Sequence, residues 1–186
     1  MERNFAIKDD KVLTERLVLR KLTRQDAPQM AVSADNKILA KNLAKLPSPY
    51  TLKDAEDSIA ICIKDWGEKP FEFGIELKET GEFVGVLTLI LDKKNNVAEF
   101  GYWLGESYWG RGYATEALKK VIEVGFGLGL HKIFGGYYSF NTQSGRVIEK
   151  CGFVQEGVRK EQILRDGVYY DFILYGLINP NDKKDK

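Results

Sequence analysis

The run 71–105, "FEFGIELKETGEFVGVLTLILDKKNNVAEFGYWLG", constrains the fold more than any other part of this chain. Within 71–77, Phe71, Phe73, Ile75 and Leu77 fall on one face of a strand, because side chains alternate at a period of two. "KETGE" reads as a hairpin turn with Gly81 at the position that needs a positive φ. "FVGVLTLIL" (83–91) and "VAEFGYWLG" (97–105) form the next two strands, and "DKKNN" turns the chain between them. Strands joined by turns this short run antiparallel, so the centre of the chain is a meander.

The flanks supply helices and further strands. "LTERLVLRKL" (13–22) reads as a first strand with Leu17 and Leu19 on one face. Thr23 with Asp26, and Thr51 with Asp54, have the spacing of helix-capping pairs. Pro47 and Pro49 interrupt the chain before the second pair, and Leu52, Ala55, Ile59, Ile63 and Trp66 then recur at helical spacing. After the meander, Ala114, Leu118, Val121, Ile122 and Gly125 line one face of a third helix. A strand (132–140), a short helix ("TQSGRVIEKC") and two last strands ("FVQEGVRK" and "VYYDFILYGL") follow. This order predicts an α/β (α+β) fold: a mixed, mostly antiparallel sheet of about seven strands with helices on both faces. The 186 residues suit a single domain, 1–178, with a polar, fraying tail at 179–186.

The formal net charge of +1 gives no reason to expect a nucleic-acid or membrane partner. No apolar stretch is long enough to span a bilayer, and "MERNFAIKDD" has no apolar run of a secretory signal. Cys62 and Cys151 lie too far apart in sequence for a metal or disulfide motif, so the cytoplasm is the expected compartment. His131 is the only histidine and has no metal-ligating neighbours, so no metal is expected.

At 108–118, "YWGRGYATEAL", two glycines and an arginine stand at the mouth of the third helix. A helix N-terminus presents unpaired N–H groups and partial positive charge, a ready site for phosphate. Gly110 and Gly112 leave room for close backbone approach, Arg111 adds a cation, and Thr115 adds a hydroxyl. The pattern is not a P-loop, which needs Gly-Lys-Ser/Thr, and it lacks the third glycine of a dinucleotide fingerprint. Taken locally, it fits a pyrophosphate cradle or a plain glycine-rich turn. "GFGLG" (125–129), late in the helix, reads as close packing or fraying.

"GYWLGESYWGRGYATEAL", followed after a strand by "NTQSGRVIEKCGF", resembles the GNAT N-acetyltransferase superfamily, most of all its branch of ribosomal-protein N-terminal acetyltransferases. "TERLVLRKLTRQDA" and "PSPYTLKDAEDSI" are similar to that branch's opening segments, so the resemblance covers nearly the whole chain. The superfamily's loop motif, Gln/Arg-x-x-Gly-x-Gly/Ala, falls on Trp109, Gly110, Arg111, Gly112, Tyr113 and Ala114, with Trp109 departing from the first position. The resemblance implies acetyl-coenzyme A as cosubstrate, its pyrophosphate on the amides of Arg111–Thr115 and its pantetheine along the strand ending at Trp103 and Leu104. It also implies that this strand splays from the strand at 132–140.

Acetyl transfer to an amine needs a donor for the acyl oxygen, an acid for the leaving sulfur and a neutral amine. A backbone N–H near Trp103 suits the oxygen. The resemblance makes Ser144 the candidate acid and Asn141 a pantetheine contact, although Asn141 equally suits a helix N-cap. Glu99 is the candidate base, or the orienter of a basic water; it alternates with Gly101 and Trp103 on one strand face. Glu161 is a second candidate, and Cys151 reads as packed core. The implied reaction is direct acetyl transfer to a primary amine, and the nearest branch implies a protein N-terminus. Polyamines, amino sugars, sugar nucleotides and antibiotics are the alternative acceptors, and a coenzyme-A-binding sensor or a nicotinamide oxidoreductase are alternatives of other classes. Acceptor choice is expected in the loops at 35–50 and 161–168, and the last strands suggest a homodimer. Asp54, Glu56 and Asp57 read as a solvated helix face.

Overall fold

The computed structural model describes residues 11–66 and 70–182. The first ten residues, with the expected absence of a signal, and the last four of the tail lie outside the described residues. Eight strands form one sheet: β1 (Lys11–Leu13), β2 (Leu17–Lys21), β3 (Pro70–Leu77), β4 (Phe83–Asp92), β5 (Val97–Leu104), β6 (Lys132–Tyr138), β7 (Val154–Arg165) and β8 (Val168–Ile178). Their order across the sheet is β1-β2-β3-β4-β5-β6-β8-β7. Every neighbouring pair is antiparallel except β5 and β6.

The meander forms as its alternation predicts, with Gly81 at φ 73° in the β3–β4 turn. The count of about seven strands rises to eight because the first run is a hairpin. Thr14 N–H donates to the Leu17 carbonyl at 3.0 Å and the Thr14 hydroxyl oxygen accepts from Leu17 N–H at 2.8 Å, which ends β1 at Leu13 and turns the chain into β2.

Helices α1 (Ala27–Ala34), α2 (Lys37–Asn42), α3 (Leu52–Asp65), α4 (Tyr113–Gly127) and α5 (Thr142–Lys150) complete the fold. The capping boxes Thr23–Asp26 and Thr51–Asp54 both form, the first opening a 3-10 turn (Arg24–Asp26) ahead of α1. The two-turn helix α2 has no amphipathic run long enough to stand out in the sequence; Asn36 caps it by accepting from Ile38 N–H and Leu39 N–H at 2.9 and 3.0 Å. On α3 the buried stripe is Ala55, Ile59 and Cys62, and Leu52 is exposed.

The two sheet faces carry separate cores. On one, Leu118, Val121 and Ile122 of α4 and Ile148 of α5 pack on Leu87, Leu89, Ala98, Phe100 and Ile133. On the other, Met30 of α1 and Ile59 of α3 pack with Phe83 and Val86, with Trp103 at the margin. Gly125 is a packing glycine: a Cβ there would meet Ile133 and Leu130 at 3.0 Å. The start of the tail does not fray. Asn179 is buried, its side chain donates to the Leu130 carbonyl at 3.0 Å, and Asp182 pairs with His131.

Candidate active site

The parallel pair at the centre of the sheet is short. β5 and β6 register only as Val97–Lys132, Ala98–Ile133 and Glu99–Phe134, then separate although both strands continue. A cavity of about 650 Å³ opens in the gap. Its walls come from Phe100–Leu104 on β5, Gly136–Tyr138 on β6, the mouth of α4 (Trp109, Gly110 and Gly112–Thr115), the first turns of α5 and the C-terminal end of α2. Past Glu99, the edge of β5 that faces the gap has no partner strand. Gly105 N–H donates to the Val84 carbonyl at 3.0 Å. Strand alternation therefore turns the backbone groups of Trp103 and Gly101 toward β4, and those of Phe100, Tyr102 and Leu104 toward the gap. The cleft-side N–H groups near Trp103 are therefore those of Tyr102 and Leu104. The Leu104 carbonyl is taken by the Trp109 indole N–H at 2.7 Å, which fixes Trp109 as a brace between β5 and the α4 mouth.

At that mouth, Gly110 (φ 74°) and Gly112 (φ 82°, the N-cap of α4) both occupy the left-handed region. A Cβ on Gly110 would meet nothing within 4 Å. The glycines therefore answer to backbone conformation, and the space in front of the amides is open. The mouth is buttressed from behind. Glu116, in the first turn of α4, accepts from the Thr14 hydroxyl (2.6 Å), Arg16 N–H (2.8 Å) and Arg16 Nε (2.7 Å). Arg16 also donates to the Arg111 carbonyl at 3.1 Å and lies 4.7 Å from the centre of the Tyr113 ring. Burial alone would raise the Glu116 carboxyl, but hydrogen bonds from Thr14 and Arg16 outweigh it and hold the group below the ordinary range.

Ser144 lies across the cavity on α5. Its Oγ accepts from Asn141 Nδ2 (3.1 Å) and from the Tyr102 hydroxyl (3.2 Å), and Asn141 Oδ1 accepts from Ser144 N–H (3.3 Å) as the N-cap of α5. With two donors aimed at its oxygen, the serine hydroxyl keeps its own proton to give. Burial pushes the Tyr102 hydroxyl up to about 12, so it stays a neutral donor at ordinary pH.

Of the expected cosubstrate residues, Trp103, Leu104, Trp109, Gly110, Gly112, Tyr113, Ala114, Thr115, Asn141 and Ser144 all line the cavity. Arg111 and Glu99 do not: Arg111 is exposed beside the mouth, and Glu99 is exposed at the closed end of the splay. Glu161 sits on a bulge of β7, outside the lining, with φ 49° and its N–H donating to Asp171 at 3.0 Å. Cys151 is buried in the α4–α5 core, its Sγ 3.6 Å from the Thr115 carbonyl, and burial raises its thiol to about 11. It is a packed thiol with no sign of activation. Among the described residues no cluster of histidine, cysteine and carboxylates can hold a metal, and no helix is long and apolar enough to cross a membrane.

Tyr102, Arg16, Glu116, Phe172 and helix α2 escaped the sequence reading. Tyr102 carried a signal: it alternates with Phe100 and Leu104, which places it on the helix-covered face opposite Glu99. The others act across long sequence separations.

The model of the acetyltransferase (GNAT) domain matches residues 16–154. The chain belongs to the GNAT acetyltransferase family. An uncharacterized N-acetyltransferase of Bacillus subtilis, YoaA, is 31% identical to this GNAT chain over 172 residues, covering 91% of it and 97% of the relative. A putative ribosomal N-acetyltransferase of the same organism, YdaF, is 29% identical, covering 89% and 93%. Among solved structures, the microcin C7 self-immunity acetyltransferase MccE, in complex with acetyl-CoA and AMP, superposes with a TM-score of 0.79 at 27% identity, covering 88% and 93%.

Proposed function

We propose that this GNAT enzyme transfers acetyl from acetyl-coenzyme A to the N-terminal amine of a protein, by direct attack within a ternary complex. The observation that carries the reading is the splay of β5 from β6, with an open glycine cradle at one side and the Ser144 network at the other. The residues present fit the cosubstrate. Left-handed Gly110 and Gly112 leave the α4 amides clear for a pyrophosphate. The free backbone edge of Phe100, Tyr102 and Leu104 suits a pantetheine arm, which would add to the sheet as an extra strand does. MccE holds acetyl-CoA in a fold of this kind.

Bound acetyl-coenzyme A supplies a thioester acyl group. The protein's part is to hold and move protons and to exclude water. The cleft-facing N–H of Tyr102 or Leu104 donates to the acyl oxygen as charge develops there. Ser144 gives its hydroxyl proton to the departing sulfur, and Tyr102 and Asn141 hold its oxygen in place. Glu99 takes the amine's proton through water, since its own carboxylate stands outside the cavity lining. The relative YdaF, a putative ribosomal N-acetyltransferase, supports a protein N-terminus as acceptor. A homodimer formed through the last strands would use β7, one of the two edge strands of the sheet, and light scattering of the purified chain tests it.

The test of the reaction is thiol release from acetyl-coenzyme A with ribosomal-protein N-terminal peptides beside polyamines, amino sugars and aminoglycosides, with mass spectrometry of the products. Peptide turnover with acetate on the α-amine is expected. Turnover of small amines alone would replace the protein acceptor by a small one. Binding without any turnover would leave an acceptor outside this panel or a coenzyme-A sensor.

A further inference from the structure

The acceptor side of the cavity has a chemistry that narrows the amine. The charged side chains among its lining residues are Arg146 and Lys150, both on α5, the side of Ser144. No aspartate or glutamate is among the described residues that line it. The opposite side is built from Leu39 and Leu43 at the end of α2, Trp103 on β5, Tyr138 on β6 and Phe172 on β8. Tyr138 and Phe172 meet edge to face, with ring centres 5.2 Å apart. The aromatic surface then runs outward: Phe140 stacks on Tyr138 at 5.9 Å, and Tyr170 meets Phe140 at 4.7 Å. At that outer end the Lys41 ammonium lies 5.7 Å from the centre of the Phe140 ring. Gly136 makes the wall. A Cβ there would stand 2.1 Å from the Ile173 carbonyl oxygen of β8 and 2.8 Å from the Phe172 ring, so the absence of a side chain lets both β8 and the ring lie close against β6.

Two carboxylates of the β7–β8 hairpin, Asp166 and Asp171, are already engaged. Asp166 pairs with Lys41 at 2.6 Å and Asp171 with Lys160 at 2.8 Å. On α3, Asp54 serves the Thr51 cap and Asp57 pairs with Lys53. A polyamine or aminoglycoside entering this cavity would bring further ammonium groups against apolar walls, with no carboxylate among the described lining residues to receive them. Burying a charge without a partner is strongly unfavourable.

We infer that the amine acetylated here is borne next to an apolar or aromatic group and is the acceptor's only cation in the cavity. This rests on the acetyltransferase reading of the same site. Two sources offer that chemistry: a small arylalkylamine, or a peptide whose first residue has a large apolar side chain.

The experiment compares kcat/KM for the full chain with 2-phenylethylamine, a neutral peptide beginning with Phe, spermidine and kanamycin. At least one of the first two is expected to exceed both polycations by tenfold or more, and which one does so names the source. Phe172→Asp is expected to lower the favoured acceptor and raise spermidine, reversing or erasing the preference. Phe172→Leu, a gentler change, should keep most of it, and the acetyl-coenzyme A affinity of each variant by calorimetry reports an intact fold. Polycation turnover equal to or above the apolar arms would overturn the inference, as would a preference that Phe172→Asp leaves alone. If no arm turns over, binding decides. A chain that binds acetyl-coenzyme A but gives no saturation-transfer signal from either 2-phenylethylamine or the Phe peptide refutes the acceptor class alone. A Phe172-dependent signal supports it. Failure to bind acetyl-coenzyme A removes the transferase reading itself.

Discussion

The two ends of the cavity are built in different ways. The cosubstrate end is backbone: two left-handed glycines, the first amides of α4 and the unpaired edge of β5, braced by the Trp109 indole and by Glu116. The acceptor end is side chain: apolar residues of α2, β6 and β8, held together by the tip of the β7–β8 hairpin. There Arg165 donates to the carbonyls of Lys41 (3.3 Å) and Leu43 (3.1 Å), 124 and 122 residues away. A backbone site tolerates few substitutions, because any side chain changes the conformation that makes it. A side-chain site can be rewritten residue by residue while the fold stays. One scaffold can therefore keep its cosubstrate and change its acceptor.

The sharpest way to break that contrast is Gly112→Val. A β-branched residue at φ 82° costs about 1–3 kcal/mol of strain, and relieving it turns the α4 amides out of the cradle. We expect acetyl-coenzyme A affinity to fall by a factor of ten or more in calorimetry, with a lower Tm. An unchanged affinity would mean that the mouth of α4 holds nothing.

Ser144→Ala comes next. We expect kcat to fall by roughly 10²-fold, in the range of lost acid catalysis, with acetyl-coenzyme A affinity retained. Tyr102→Phe should produce a smaller loss that is the same at pH 7 and pH 9, because burial keeps the Tyr102 hydroxyl neutral up to about 12. A Tyr102 effect confined to high pH would give the tyrosine a titrating role and displace Ser144 as the proton donor.

Glu116→Gln asks whether the cosubstrate end depends on its buttress. The side chain accepts three hydrogen bonds from the β1–β2 turn, and their weakening should cost about 1–2 kcal/mol. Arg16 is 45% exposed, so solvent screens part of the ion pair. The carboxyl is held below its unfolded value of about 4.3, so its contribution is complete above that pH and disappears as the pH falls through the lower folded value. Urea unfolding should show wild type and variant separated at pH 7 and converging only as the pH falls through and below the ordinary carboxylate range. Parallel behaviour at neutral and acid pH would show that the charge on Glu116 is not what braces α4.

The same contrast explains how much could be read from the sequence. The meander, the two capping boxes and the glycine mouth are local: each is complete within a few residues and follows from alternation, capping or backbone freedom. The β1–β2 hairpin was less legible because it turns on the hydroxyl and amide of Thr14 inside an alternating run. At the site, Asn141 and Ser144 stood out through the family resemblance. Tyr102 reaches Ser144 from another strand, 42 residues away, and period-two alternation fixes its face but not its partner. The segments 35–50 and 161–168 were expected to set the acceptor, and they hold α2 and the hairpin tip, but the helix itself and the contacts of the aromatic wall were illegible for the same reason in stronger form. Leu39, Tyr138 and Phe172 meet only because β6 pairs with β8 in one register and the hairpin tip is tied to α2.

The smallest effect we predict lies at that tie. Arg165→Ala removes two hydrogen bonds to the α2 end, worth about 1 kcal/mol net in such a half-buried place. It should raise the acceptor KM several-fold and leave acetyl-coenzyme A affinity unchanged, since Arg165 touches nothing at the α4 mouth. Asp166→Asn is the control one residue along. It breaks the exposed Lys41–Asp166 pair, and exposed pairs add little to stability, so Tm and acceptor KM should stay where they were. If Asp166→Asn weakened the acceptor as much as Arg165→Ala, the hairpin would act through the charge it places near Lys41. If only Arg165→Ala does so, the hairpin acts by holding Leu39 and Leu43 in place, and the acceptor end is a packed surface set by contacts remote in sequence.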